Sequence, residues 1–184
     1  MDGLLAEGSR FAIRGQPVVK LDPAENDLDC PILATAYGHW RSSRAGQALP
    51  TVDHIDPEQL RPALGWFALV DVIDGGADFV YRLFGSEMAW RFDLDLTGQS
   101  VSAMPSPLGA FVTAAYRACT AAKSPLLIIC RFGSPGVGTV GALLLPWTDG
   151  TGTVTRLMAV TSLRDPRVHP GVVARSTLTR LSHW

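Results

Sequence analysis

The chain has 184 residues, of which 47% are apolar, and a formal net charge of -1. This composition predicts one globular domain and excludes a disordered chain, and the near-neutral charge gives no reason to expect nucleic acid or a membrane as partner. No signal-peptide pattern and no apolar run of about 18 residues is present, so we expect a cytoplasmic protein. Its cysteines are odd in number and far apart, which favours a reducing compartment over a disulfide framework: Cys30, Cys119 and Cys130.

The first part of the chain predicts a leader and two helices. Residues 1–27 show no hydrophobic period and predict a loosely held leader. Residues 28–45 predict a helix, with Asp29 as N-cap and Pro31 in its first turn. A second, short helix is predicted over residues 56–64. The first helix carries a stripe that is more apolar than a free-standing helix needs, and it predicts a homodimer through that helix: Leu33, Ala36, Tyr37 and Trp40.

The rest of the chain predicts strands around a helical middle. Residues 66–73 and 78–84 form a predicted hairpin, 85–92 a short helix and 106–123 a long helix. Three further strands are predicted at 126–132, 139–147 and 153–163. This order predicts an α+β fold, a five-stranded antiparallel sheet with helices on one face. Residues 164–184 carry four arginines against one acid, and they predict a basic tail that is either simply solvated or docks to a partner.

Several short sequence motifs occur along the chain in an order that is typical of one protein family. Tyr-Arg-Leu-Phe-Gly-Ser occupies residues 81–86, and Asp-Leu-Thr-Gly occupies 95–98. Leu-Pro at 49–50 and Asp-Pro at 56–57 precede them, and Leu-Leu-Leu-Pro at 143–146 and Asp-Gly at 149–150 follow. Over residues 33–163 this pattern resembles the PAS family common in alphaproteobacteria, with its phrase Y-R-L-x-G-(S/T)…(D/E)-L-T-G. One departure is Trp147, where a small or aliphatic residue is more usual.

The resemblance implies a PAS-like domain over residues 28–163 that binds or signals and performs no catalysis. We expect a stand-alone sensor or signalling adaptor that binds a small molecule in its core, a protein partner, or both. The alternative is a ligand-free interaction and dimerisation module, and an enzyme is a distant third. The expected pocket lies between the sheet and its helices, lined by Phe84, Met88, Trp90, Phe92, Phe111, Tyr116 and Ile128.

Arg82 has two interpretations, because side chains alternate between the faces of a strand. If Arg82 points inward, it holds an anionic ligand or forms a structural ion pair. If it points outward, it lies on the exposed side of the sheet or in a dimer contact.

Other motifs predict no cofactor. Residues 136–141 match the dinucleotide fingerprint G-x-G-x-x-G, but an apolar, proline-ended run follows, so we expect a glycine-rich hairpin. The histidines lack zinc-site spacing, and His54 with its neighbouring acids predicts a capped helix entrance. The short helix before Gly98 offers neither the histidine nor the cysteine that haem or flavin PAS domains use, and Met88 there predicts core packing. We therefore expect a colourless protein without metal, haem or flavin.

Overall fold

A computed structural model describes residues 13–28, 30–132 and 138–164, apart from the side chains of Phe132 and Arg164. In that part of the chain one antiparallel sheet has the strand order β1-β4-β5-β6-β2-β3. The α+β, PAS-like fold class that the sequence predicts is confirmed. The strands are β1 Ile13–Leu21, β2 Phe67–Ile73, β3 Asp78–Phe84, β4 Leu126–Phe132, β5 Thr139–Thr148 and β6 Val154–Arg164, and the helices are α1 Pro31–Ser43, α2 Ser86–Phe92 and α3 Leu108–Ala122.

β1 corrects the prediction of a loose leader and raises the number of strands from five to six. It pairs with β4, and Val19, which lies opposite Ile128, is buried. Its register shifts between Arg14 and Val18, next to Pro17, which cannot donate a ladder hydrogen bond. This irregularity breaks the alternation of apolar and polar residues that would have marked a strand in the sequence. The predicted tail beyond Arg164 lies outside the described residues.

The helices cover both faces of the sheet, not one face as predicted. α1 lies over Gly141 of β5, where a Cβ would lie 3.5 Å from Leu33 Cδ1. The register places Tyr81 of β3 on the opposite face, and its hydroxyl reaches Tyr116 of α3. We call the α3 side the inner face and the α1 side the outer face. A sheet covered by helices on both sides explains why β5 is buried almost throughout.

α1 uses its apolar stripe within its own chain. Leu33, Ala36, Tyr37 and Trp40 are all buried, and the indole Nε1 of Trp40 donates to the Pro146 carbonyl oxygen at 2.7 Å. The stripe that predicted a dimer is therefore already packed against β5 and β6. This face of α1 is not available to a second copy.

The predicted second helix at 56–64 does not form as an α-helix. The carboxylate of Asp56 accepts a hydrogen bond at 2.8 Å from the backbone N–H of Glu58, which makes an Asx turn. A single 3₁₀ turn, Arg61–Ala63, follows. The side-chain bond offers the backbone an alternative to helical pairing, which is why Asp-Pro signals a turn here.

Among the described helices, none is long and apolar enough to cross a membrane.

Candidate functional site

A β-bulge in the β2–β3 hairpin decides which side chains reach the inner face. Leu69 pairs with Leu83 but Val70 pairs with Tyr81, so Arg82 is the extra, unpaired residue. Tyr81 and Phe84 therefore share the inner face although they are three residues apart, and their rings meet edge-to-face at 5.6 Å. Simple alternation from Arg82, on which both sequence interpretations relied, does not hold at this point.

The inner face holds a packed aromatic cluster around two tyrosines. The hydroxyls of Tyr81 and Tyr116 lie 3.1 Å apart and are buried, and Phe79 packs edge-to-face on Tyr116 at 5.3 Å between centroids. Burial raises the pKa of both tyrosines, and for Tyr116 the neighbouring Tyr81 raises it further. Each hydroxyl thus stays protonated at neutral pH and finds its partner in the other. The pair joins β3 to α3.

The predicted pocket residues fall into three groups. Met88, Tyr116 and Ile128 are buried together in the core, whereas Phe84, Phe92 and Phe111 are half-buried and pack against it. Trp90 is 78% exposed on α2, and Arg82 is exposed as well. The structure therefore brings six of the eight predicted residues to the core and leaves Trp90 and Arg82 in solvent.

The Asp-Leu-Thr-Gly turn closes the free edge of β3. The backbone N–H of Gly98 donates to the Tyr81 carbonyl at 2.7 Å, and Tyr81 N–H donates to the Gln99 carbonyl at 3.0 Å. The hydroxyl of Thr97 accepts from Phe84 N–H at 3.1 Å. Edge strands with free N–H and C=O groups invite pairing with other chains. This part of the motif therefore provides hydrogen-bond partners for the edge backbone groups of Tyr81 and Phe84 within the same chain.

Two carboxylates hold the same segment by accepting hydrogen bonds. The Asp95 carboxylate accepts from Thr97 N–H at 2.8 Å, and this bond holds the pKa of Asp95 below its ordinary value. Asp78 accepts from the hydroxyls of Ser100 and Ser102 at 2.5 and 2.9 Å. The Ser100 hydroxyl is the largest cause of the lowered pKa of Asp78. Both carboxylates are therefore structural groups, ionised at neutral pH.

On the outer face, two arginines share one carboxylate. Arg156 Nε and Nη2 lie 2.8 and 2.7 Å from Asp71 Oδ1, and Arg82 Nη1 lies 3.4 Å from Oδ2. The cluster therefore keeps one net positive charge. On the same face of the hairpin the apolar side chains of Ile73 and Leu83 are exposed. α1 packs over β5 and β6 instead, so it leaves this surface open.

The remaining sequence motifs are the glycine fingerprint and the histidines. The last part of the glycine fingerprint, from Gly138, leads into strand β5 and not into a helix, and Gly136 lies outside the described residues. His54 Nδ1 lies 3.2 Å from Thr51 Oγ1. The described part of the chain contains no cluster of three or more His, Cys, Asp or Glu placed to hold a metal ion.

Two of the three thiols are buried and poorly reactive. Burial raises the pKa of Cys130 to about 11, and it also raises the pKa of Cys119. Cys119 Sγ lies 3.4 Å from the Ser124 carbonyl oxygen. A thiol with a raised pKa holds little thiolate at neutral pH, so neither cysteine is prepared for nucleophilic chemistry.

The PAS domain family model matches residues 29–161, most of the chain, and the chain belongs to this family. PAS domains are generally sensory or interaction modules. Searches of curated proteins and of solved structures found no match.

Sequence reasoning missed Tyr81, Asp71 and Arg156 as site residues. Simple alternation along β3 puts Tyr81 and Phe84 on opposite faces of the sheet. Only the bulge at Arg82 brings them to the same face. Asp71 and Arg156 are 85 residues apart and meet because β2 pairs with β6. A lone acid in the apolar run of β2 was the one sequence signal that could have pointed to this pair.

Proposed function

We propose that this PAS domain is a protein-interaction module that signals by docking to another protein. The observation that carries the proposal is the open outer face of the β2–β3 hairpin. There Leu83 and Ile73 flank the Asp71–Arg82–Arg156 cluster, and no helix of the described chain packs over them. We call this set of five residues the hairpin surface.

The packing of the inner face supports the ligand-free form of this proposal. The Tyr81–Tyr116 hydroxyl pair and the Phe79 ring occupy the space between sheet and α3. A small molecule in this core would have to separate two buried hydroxyls that satisfy each other. We therefore rank binding in the core, which the sequence analysis expected first, behind docking of a protein.

The chemistry of the hairpin surface suggests the partner. Arginine is enriched among residues that contribute most to protein–protein affinity, and Arg82 has exposed donors beside an apolar side chain. The surplus positive charge favours a partner segment that places an acidic group against Arg82 and an apolar one against Leu83. The apolar area is small, so we expect a transient complex and not an obligate one.

Site-specific photo-crosslinking tests the proposal. A photoreactive phenylalanine analogue replaces Leu83 in one variant and Leu21 in a control, in cells that normally produce the protein. The two leucines are similarly exposed, at 41% and 50%, but Leu21 lies on β1 at the other end of the sheet. We expect a discrete adduct from position 83 alone. Equal adducts at both positions, or none at 83, would contradict the proposal.

The size of the adduct identifies the kind of partner. A product of twice 19.7 kDa would mean that a second copy of the chain docks here, which would retain the predicted homodimer on a different surface. Arg82→Glu should remove the adduct, whereas Arg131→Glu should keep it. Arg131 is an exposed arginine on β4, which three strands separate from β3.

A further inference from the structure

A groove lies on the flank of α3, and its lining includes neither the tyrosine pair nor any residue of the hairpin surface. It runs between α3 and the 3₁₀ turn Val101–Ala103, and its volume is about 490 Å³. Pockets for small organic ligands commonly measure about 300–1,000 Å³. The groove is lined by Val101, Ser102, Met104, Ser106, Gly109, Ala110, Thr113, Ala114 and Arg117.

Small residues on α3 create this space. A Cβ on Gly109 would overlap the Met104 carbonyl oxygen, so the turn and the helix meet closely at one end. Ala110, the next residue, and Ala114, one turn further along, leave the groove open, and Met104 lies on the opposite wall with the fully buried Val101 beneath it. These positions recur at helical spacing and lead along one flank to Arg117. The groove therefore has an apolar body and a cationic end.

Arg117 is held in place with part of its guanidinium unused. Its Nε donates to the Gly76 carbonyl at 2.9 Å and its Nη2 to the Ala77 carbonyl at 2.9 Å. These bonds use one edge of the planar group, and the Nη1–Nη2 edge keeps its donors. No carboxylate oxygen of a described residue lies within 4.0 Å of this guanidinium. A fixed arginine without an acidic partner is suited to bidentate recognition of a carboxylate.

Two other polar groups of the groove act on an anion. The Asp78 carboxylate, which binds Ser102, keeps its negative charge, and its hydrogen bonds from Phe79, Ser100 and Ser102 partly offset its repulsion of a ligand carboxylate. The hydroxyl of Thr113, one helical turn before Arg117, makes no side-chain hydrogen bond to a described residue and can donate to a ligand oxygen.

We propose that this groove binds a small organic carboxylate with an apolar body, independently of the protein docking proposed above. The carboxylate meets the free edge of Arg117, and the apolar body lies along Met104, Ala110 and Ala114. Because Arg117 also bonds the turn between β2 and β3, the site is joined directly to the hairpin.

Binding of hexanoate, followed by amide NMR shifts of the full chain, tests the proposal, with 1-hexanol as the uncharged control. We expect hexanoate to shift the amides of residues 101–117 and to bind about tenfold more tightly than 1-hexanol, the difference a charge-assisted pair supplies. Equal affinity for the two probes, or shifts spread beyond this segment and the 76–78 turn that Arg117 bonds, would overturn the proposal.

Matched variants separate the groove from general effects on the fold. Ala110→Phe fills the groove at a position seven residues before Arg117, and Ala121→Phe places the same ring on an exposed position of α3 outside it. We expect the first to weaken hexanoate about tenfold or more and the second to leave it unchanged. Arg117→Lys, which keeps the charge but loses the fork, should weaken hexanoate but not 1-hexanol. Equal effects of the two phenylalanine variants would refute the site.

Discussion

Gly98 ends the Asp-Leu-Thr-Gly turn in a conformation that side chains resist. Its φ is +78°, and a Cβ there would meet nothing within 4 Å, so a substitution is strained but not crowded. We expect Gly98→Val to lower the free energy of unfolding by about 1–3 kcal/mol, measured by urea denaturation. Gly98→Asn should cost clearly less, because asparagine tolerates the left-handed region. Equal losses from both variants would mean that backbone strain is not the cause.

Gly85 and Gly38 should respond in opposite ways to alanine. A Cβ on Gly85 would overlap the Gly65 carbonyl oxygen, whereas a Cβ on Gly38, inside α1, would meet nothing within 4 Å. Gly85→Ala should therefore destabilise the fold by about 1–3 kcal/mol through overpacking. Gly38→Ala should stabilise it by about 0.5–1 kcal/mol, because alanine is the better helix former. Thermal and urea unfolding would measure the two changes in stability. Changes of the same sign in both variants would contradict this packing.

At the residue scale, the sequence predicted which residues are buried better than it predicted the face of the sheet to which a strand side chain points. Tyr116, Met88 and Ile128, which the sequence analysis placed in the expected pocket, are buried. Arg82 could not be placed, because a one-residue bulge shifts the alternation of every residue beyond it. A bulge arises from pairing between strands, and β3 carries no local signal for it.

β1 makes the clearest prediction at the scale of elements. If residues 13–21 were a loose leader, shortening Val19 would have no effect on stability. Because Val19 is buried opposite Ile128, Val19→Ala should lower the free energy of unfolding by about 1–2.5 kcal/mol. Gln16→Ala, at an exposed position of the same strand, should change it by less than about 0.5 kcal/mol in the same urea titration. If both substitutions changed the free energy of unfolding by equally small amounts, residues 13–21 would be a loose leader after all.

α1 shows how packing changes the meaning of an amphipathic helix. Its stripe correctly predicted a helix, and its proline at the first position fits the observed start at Pro31. The same stripe also predicted a dimer, but Trp40 and Leu33 contact β5 of their own chain. Periodicity identifies the apolar face of a helix, and it carries no information on which surface that face will cover.

The whole molecule should lose stability in alkaline solution. Burial raises the pKa of Cys130 from 9.0 to about 11, and it raises the pKa of Cys119, Tyr81 and Tyr116. Since the unfolded chain ionises these groups at their ordinary pKa, their contribution is complete below that pKa and is lost as the pH rises towards the folded value. Unfolding free energy should therefore be constant to about pH 8 and then fall, the thiols first.

Urea unfolding between about pH 8 and pH 11 measures this loss. Each group contributes at most about 1.4 kcal/mol per pH unit between its two pKa values. The double variant Cys119→Ala/Cys130→Ala should be less stable at neutral pH, through lost packing, but should fall less steeply above about pH 9. If the two proteins lost stability in parallel, the buried thiols would not be the source.

The sequence by itself determined the α+β class and the order of the strands and helices from β2 to β6. The strand limits of β3 and β4 agree with prediction, because hydrophobic period and turn residues are local properties of the chain. Tertiary structure alone decided that α1 and α3 lie on opposite faces, that residues 13–21 complete the sheet, and that Asp71 meets Arg156. These features depend on pairing between segments far apart in sequence. The contacts that stabilise these features are made only once the sheet has formed, so no local sequence pattern predicts them.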